Sequence, residues 1–236
     1  GPDASRDAAP RGAGSDLDAL DRLFAARWSC RAFRDTEVPD ETVRRIVQTA
    51  QRVASWNNTQ PWQVLVTRKP ETDRLRAALY RHAQEAAATP DIAFPAAYEG
   101  LYRERRSACG WQLYGALGIA RGDRAASARQ MLKNFRFFEA PHVALVTSPA
   151  ALGTYGVLDC GAFVTGFMTA AQAAGVATVA QAALATQAPF LRDWFDLPTD
   201  RLIVCGVAFG EADPDHPANS YRTPRAPAED VIDWRG

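Results

Sequence analysis

From Cys160 to Leu191 the chain carries no Asp, Glu, Lys or Arg. A run of that length is long enough to cross a bilayer as a helix, so any fold must either bury it or give it to lipid. Its Thr, Gln and Gly content argues against lipid and for a buried helix and loop. That demands a large interior. With 236 residues, 47% of them hydrophobic, the chain can build one as a single large domain or two small ones. Basic and acidic side chains number 27 each, so no net field draws nucleic acid, an anionic membrane or an acidic partner. Any anion site must therefore be local. Lys69 and Lys133 are the only lysines, and the arginine skew, like the alanine excess, reads as genomic base composition.

Cys30, Cys109, Cys160 and Cys205 are scattered singly, without the paired spacing of a zinc site or a disulfide framework. Buried free thiols in a reducing cytoplasm are the expectation. His82, His142 and His216 share no ligand spacing, so no metal is expected. The N-terminus opens Gly-Pro and runs through small and charged residues to Gly14 without an apolar core. It reads as a flexible arm with a processing scar.

Hydrophobic spacing gives the elements in order. Ser15 is placed to cap a helix ending near Arg27, with Leu17, Leu20 and Phe24 on one face. Ser29 to Phe33 reads as extended. A second helix starts at Pro39-Asp40, aligns Val43, Ile46, Val47 and Ala50, and stops before Ser55. Strands are predicted over Gln63–Thr67, Val143–Thr147 and Leu202–Phe209. Helices are predicted over Pro70–Ala87, Tyr98–Leu117, Arg124–Phe138 and Tyr155–Ala174, the last almost wholly buried. Thr89 to Pro95 is a break, and the tail from Gly210 is proline-rich and extended. The result is a sheet flanked by helices, with no repeat and no composition break that divides the chain.

Three segments carry chemistry. Arg27, Ser29 and Arg31 alternate, so on an extended backbone their side chains project to one side and make a grip for a phosphate monoester. The alternative is two surface arginines settling a helix C-terminus. The loop Ser55-Trp56-Asn57-Asn58-Thr59-Gln60-Pro61-Trp62 sets amides, which match the donor and acceptor edge of a planar heterocycle, beside indoles that cover its face. The alternative is an ordinary polar turn. In the tail, Arg222 and Arg225 follow the last strand and either complete the phosphate site or lie on a solvated extension.

Together these segments closely resemble the FMN-dependent nitroreductase family, from about Leu17 to the end. The Arg-x-Ser-x-Arg, Asn-x-Gln-Pro-Trp and arginine-bearing tail motifs carry the resemblance. It implies an α+β fold with a central, mostly antiparallel sheet flanked by helices, one FMN-binding domain over residues 15–236, and an intertwined homodimer. Each FMN would lie at the interface, and residues 210–236 would wrap the partner. Arg27, Trp28, Ser29 and Arg31 would hold phosphate and ribityl oxygens, with Arg222 and Arg225 reaching the phosphate. Trp56, Asn57, Asn58 and Gln60 would sit at the isoalloxazine ring. The loop after the long helix, at Thr178 to Gln181 with Val179 and Ala180, would give a backbone N–H to flavin N5. Residues 89–129 would form a lid over a small aromatic substrate. There Arg103, Arg105 and Arg106 would grip a carboxylate or simply make a charged helix face, and Trp111, Tyr114, Phe135 and Phe138 would line a pocket or pack in the core.

The sequence has no GxSxG elbow, no P-loop and no GxGxxG fingerprint. With no acid/base constellation either, the chemistry falls to the flavin rather than to a catalytic side chain. The implied activity is ping-pong transfer of electron pairs from NADPH or NADH to a nitroaromatic acceptor. Alternatives on the same fold are flavin, quinone and enone reductases. A flavin-binding protein without turnover is the alternative of another class.

Overall fold

The uncharged run does not stay in one element: it forms most of a long helix, then a strand, then the start of a further helix. The computed structural model describes residues 13–236. The expected arm over residues 1–12 lies outside the described residues. In order, the elements are α1 (Ala13–Ala26), α2 (Asp40–Ala50), β1 (Gln63–Val66), α3 (Lys69–Glu85), α4 (Gly100–Ala116), α5 (Arg124–Leu132), β2 (His142–Pro149), α6 (Gly153–Ala173), β3 (Ala177–Gln181), α7 (Ala188–Trp194) and β4 (Arg201–Gly210). Helix α1 begins two residues before Ser15, so Ser15 lies in the first turn rather than at the cap.

The four strands form one antiparallel sheet in the order β1-β2-β4-β3. Strand alternation sends Val143, Leu145, Val179 and Ala208 to one face, where they meet Leu75 and Leu79 of α3 and Phe135, Phe137 and Phe138. Ala144, Val146, Val207 and Phe209 go to the other face and pack on Ile46 and Ala50 of α2 and Phe163 and Phe167 of α6. Phe135 and Phe138 are thus core residues, the second of the two readings their sequence left open.

Three expectations are corrected. First, Thr178 to Gln181 is strand β3, not a loop, and it pairs with β4 along its whole length. Ala and Gln mask its strand character, and pairing with a Val- and Phe-bearing neighbour overrides their weak propensity. Second, the helix predicted to reach Phe138 ends at Leu132. A tight turn follows, with Phe137, Phe138 and Glu139 all at positive φ (57°, 50° and 65°). Left-handed backbone costs such residues roughly 1–2 kcal/mol each. Arg76, buried on α3, holds the turn by donating to the Arg136 carbonyl and, at 2.7 Å, to that of Ala140.

Third, α6 is not almost wholly buried. Gly156, Asp159, Cys160, Phe163, Val164 and Phe167 face inward, but Tyr155, Leu158, Gly161 and Thr165 form an exposed stripe, with Leu158 60% accessible. The uncharged sequence serves two faces, and this chain covers only one. Residues Ala150–Ala173 are long and apolar enough to span a membrane by length and composition. The inward face nonetheless packs on protein and holds a hydrogen-bonded carboxylate, Asp159, which suits a core helix. The predicted apolar face of α1 is likewise uncovered at Leu17, Leu20 and Phe24.

Helix α6 crosses α2 at Gly166, where an added Cβ would lie 2.8 Å from the Val53 side chain and 3.3 Å from the Ala50 Cα. Gly166→Val should lower the unfolding free energy by about 1–3 kcal/mol, because it overpacks this crossing. Arg76→Leu should cost about 2–4 kcal/mol through the orphaned carbonyls of the left-handed turn. Urea denaturation followed by circular dichroism measures both.

Candidate functional site

The extended segment after α1 attaches to the free edge of β3. Ser29 bridges Thr178 in parallel, and the Cys30 N–H donates to the Thr178 carbonyl at 2.9 Å. Ser29 and Arg31 therefore lie on an extended segment, while Arg27 closes the last turn of α1, its N–H donating to the Leu23 carbonyl at 3.1 Å. A strand's N–H and C=O groups alternate between its two edges. Since Thr178 points its carbonyl at this edge, Ala180, two residues on, points its N–H to the same edge. Ala180 is also exposed. Val179 and Gln181 turn their side chains into the core, where Gln181 Nε2 donates to the Asn134 carbonyl at 2.9 Å.

The tail folds back over this segment. Asn219, buried, accepts from the Arg31 N–H at 2.9 Å and donates to the carbonyls of Ala32 at 3.0 Å and Asp213 at 2.8 Å. The Tyr221 hydroxyl accepts from Arg31 Nη1 at 3.3 Å. The Arg222 guanidinium lies 4.1 Å from the centre of the Trp28 ring. Asn219 thus ties the tail to the Arg31 segment, and in the sequence it stood out only as the start of the arginine-bearing tail. Its signal was faint, an amide closing a short turn that opens with Pro217.

Four guanidinium groups thus gather at one edge: Arg27, Arg31, Arg222 and Arg225. Among the described residues none of the four takes part in an ion pair. Burial, and then the Arg225 cation, push the Arg27 pKa down. Burial also pushes the Cys30 thiol up to about 11, although Arg31 and Arg222 pull the other way. Like charges held together with no carboxylate in ion-pair contact among the described residues can receive an anion. Beside them the Trp28 indole N–H is buried without a partner. These donors, with the open N–H of Ala180, fit a phosphorylated heterocycle such as FMN.

The second predicted half lies elsewhere. Trp56 to Asn58 form a single tight turn, and Asn57, Asn58 and Gln60 have φ of 50°, 55° and 47°. Trp56 is 66% exposed and its ring lies 5.8 Å from that of Tyr155 on the open stripe of α6. The loop leads into β1, at one edge of the sheet, whereas Ser29 lies beyond β3 at the other edge and at the opposite strand end. Spacings of ~4.8 Å between strands and ~3.3 Å per residue put the two halves roughly 25 Å apart. One chain does not bring them to one flavin.

In the predicted lid, α4 has no buried residue. Arg103, Arg105 and Arg106 are exposed, and Arg106 lies 5.2 Å over the Tyr98 ring. Trp111 meets Tyr114 edge-on at 6.0 Å and lies under Arg121 at 4.6 Å. Gln112 Nε2 donates to the Arg222 carbonyl at 3.3 Å, which ties α4 to the arginine-bearing tail. Two surface hollows of about 490 and 360 Å³ lie along α2 and contain none of the predicted cofactor residues. His142 lines the smaller one, but both its ring nitrogens are engaged, by the Val38 N–H and the Thr67 carbonyl, each at 2.9 Å.

With this geometry in place, the chain matches the family model described as "Nitroreductase family" over residues 24–211. It belongs to the nitroreductase family. This nitroreductase is 36% identical over 219 residues to nitroreductase NfnB of Mycolicibacterium smegmatis, covering 92% of this chain and 93% of that one. It is 33% identical over 221 residues to a 4-nitrobenzoate reductase of a Nocardioides species, with 90% and 88% covered. The crystal structure of FMN-dependent NfnB from Mycobacterium smegmatis in complex with NADPH superposes with a TM-score of 0.88 at 34% identity, covering 93% of this chain and 99% of that one.

All four cysteines are free. Burial raises the thiol pKa of Cys30 and Cys160 to about 11 and of Cys205 to about 12. Each is therefore a neutral, unreactive thiol below its raised value. At pH 8 the native nitroreductase should take one iodoacetamide label, at the exposed Cys109, and four after unfolding; intact-mass spectrometry checks both numbers.

Proposed function

We propose that the protein is an FMN-dependent nitroreductase that takes reducing equivalents from NADPH or NADH and passes them, as electron pairs, to small nitroaromatic compounds. The observation that carries this reading is the group of four arginines on the edge of β3, none of them in an ion pair among the described residues, beside the outward N–H of Ala180. An FMN phosphate is the dianion such a group suits, because forked guanidinium donors bind two oxygens at once.

Bound FMN would supply the electron-pair exchange with both reductant and acceptor. The protein's part is to hold and orient. Arg27, Ser29 and Arg31, with Arg225 and Arg222, would hold the FMN phosphate, and Asn219 keeps the Arg31 backbone in place. Trp28, Val179 and Gln181 shape the edge at which the Ala180 N–H would be offered to the flavin ring. Trp56, Asn57, Asn58 and Gln60 would lie at the ring. The roughly 25 Å between the two halves, an estimate from sheet spacings, supports a site assembled from two copies of the chain. The exposed stripe of α6, with Leu17, Leu20 and Phe24 of α1, supports the same homodimer, since apolar helix faces call for cover.

Residues 15–236 act as one FMN-binding domain in this reading. Residues 89–129 form the lid, where Arg103, Arg106, Trp111 and Tyr114 contact the substrate. Residues 210–236 wrap the partner, and the exposed Val231, Ile232 and Trp234 support that role. The free cysteines suit a cytoplasmic, reducing setting.

Purified protein should show a flavin spectrum that bleaches under anaerobic NADPH or NADH and recovers on adding a nitrobenzoate. A colourless protein that takes up no FMN would refute the proposal. Arg31→Ala should weaken FMN binding by about 10- to 100-fold, the scale of one charge-assisted bidentate contact, as read by flavin fluorescence titration. Leu158→Arg should shift sedimentation from dimer to monomer and release FMN.

A further inference from the structure

Between Glu139 and Arg192 the sequence has a single Asp, Glu, Lys or Arg, and it is Asp159. It sits on the inward face of α6 and is only 4% exposed. An ionised carboxylate in such surroundings is costly unless it is hydrogen-bonded to something that needs it. Its partner is the backbone N–H of Trp56, donated to Oδ2 at 3.1 Å across 103 residues of sequence.

Trp56 opens the turn in which Asn57, Asn58 and Gln60 all take left-handed backbone. Asparagine tolerates that region better than most residues and glutamine less well, so such a loop holds one shape only if its ends are fixed. The far end is fixed by Arg201, whose Nη2 donates to the Pro61 carbonyl at 3.2 Å. Inside the loop the Gln60 N–H donates to Ser55 Oγ at 3.0 Å, and the Gln60 side chain donates to the Asn58 carbonyl at 2.9 Å. The near end depends on Asp159.

We propose that Asp159 is a positioning residue for the cofactor. Its carboxylate fixes the Trp56 backbone, and through it aims the Trp56–Gln60 loop off this chain at the ring half of the flavin held by the partner subunit. The inference rests on the FMN reading above and adds a residue that touches neither cofactor nor substrate. An acceptor oxygen is what the Trp56 N–H requires, so an amide in the same place serves and a methyl group does not. The arginine group lies on the opposite edge of the sheet, so losing Asp159 leaves the phosphate grip intact.

The test is flavin-fluorescence titration of the dimeric wild type, Asp159→Ala and Asp159→Asn with FMN and, separately, with riboflavin, which lacks the phosphate. Loss of one charge-assisted hydrogen bond is expected to weaken both ligands in Asp159→Ala by about tenfold, leaving their affinity ratio unchanged. The visible band of the bound flavin should shift, and Asp159→Asn should stay within about twofold of wild type. Arg31→Ala should instead weaken FMN alone. Asp159→Leu, which fills the same space and offers no acceptor, decides the matter if Asp159→Ala does not fold. Wild-type affinity for both ligands in Asp159→Ala, or in Asp159→Leu should the former not fold, overturns the proposal. So does an Asp159→Asn as impaired as the alanine variant, or a loss confined to FMN. A wild type that binds neither flavin overturns the FMN reading itself, and the inference with it.

Discussion

The packing of α6 against the sheet is the contact on which the rest of the molecule depends. Trp62, Phe163, Phe167 and Phe209 form a row of ring contacts, stacked, tilted and edge-on in turn, with centroids 5.3 to 6.3 Å apart, and link the residue before β1, the central helix and the last strand. Rings at these separations contribute beyond the area they bury. The close approach of α2 to α6 needs Gly166, and the same helix presents Asp159 to the base of the Trp56–Gln60 loop. One helix therefore sets the core on its inner side and the site on its rim, while its outer stripe remains apolar and open.

The candidate site follows from sheet geometry. The free edge of β3 holds the segment from Ser29 extended through the Thr178 carbonyl, and Arg27 precedes it at the end of α1. The same edge turns the Ala180 N–H outward two residues further on. The tail then brings Arg222 and Arg225 to that edge, fixed by the three hydrogen bonds of Asn219. In the proposed reading, binding and orientation come from backbone direction and a few buried amides. No general acid or base is needed where a flavin carries the electron pair.

Family membership joins these features to a consistent activity. The matched region, residues 24–211, holds the arginine segment, the Trp56 loop and β3, while Arg222 and Arg225 lie past its end. The tail's part in the site therefore rests on its contacts with Trp28 and Arg31.

The sequence by itself determined the periodic elements and the chemistry of the short motifs. Apolar spacing placed α2, α3, β2 and β4 close to their observed bounds, because these elements bury one face or both within the chain. It misjudged Thr178–Gln181 and Phe137–Glu139, where partners distant in sequence outweigh local preference: β4 and the Cys30 backbone for the first, Arg76 for the second. It also read α6 as almost wholly buried, because absence of charge does not say how many faces one chain covers. The alternation of Arg27, Ser29 and Arg31 was legible in the sequence, and their use as a phosphate grip is the reading proposed above. Only the tertiary structure decided that the Trp56 loop lies at the opposite corner of the sheet from them, since strand order and register are long-range properties that no local pattern encodes.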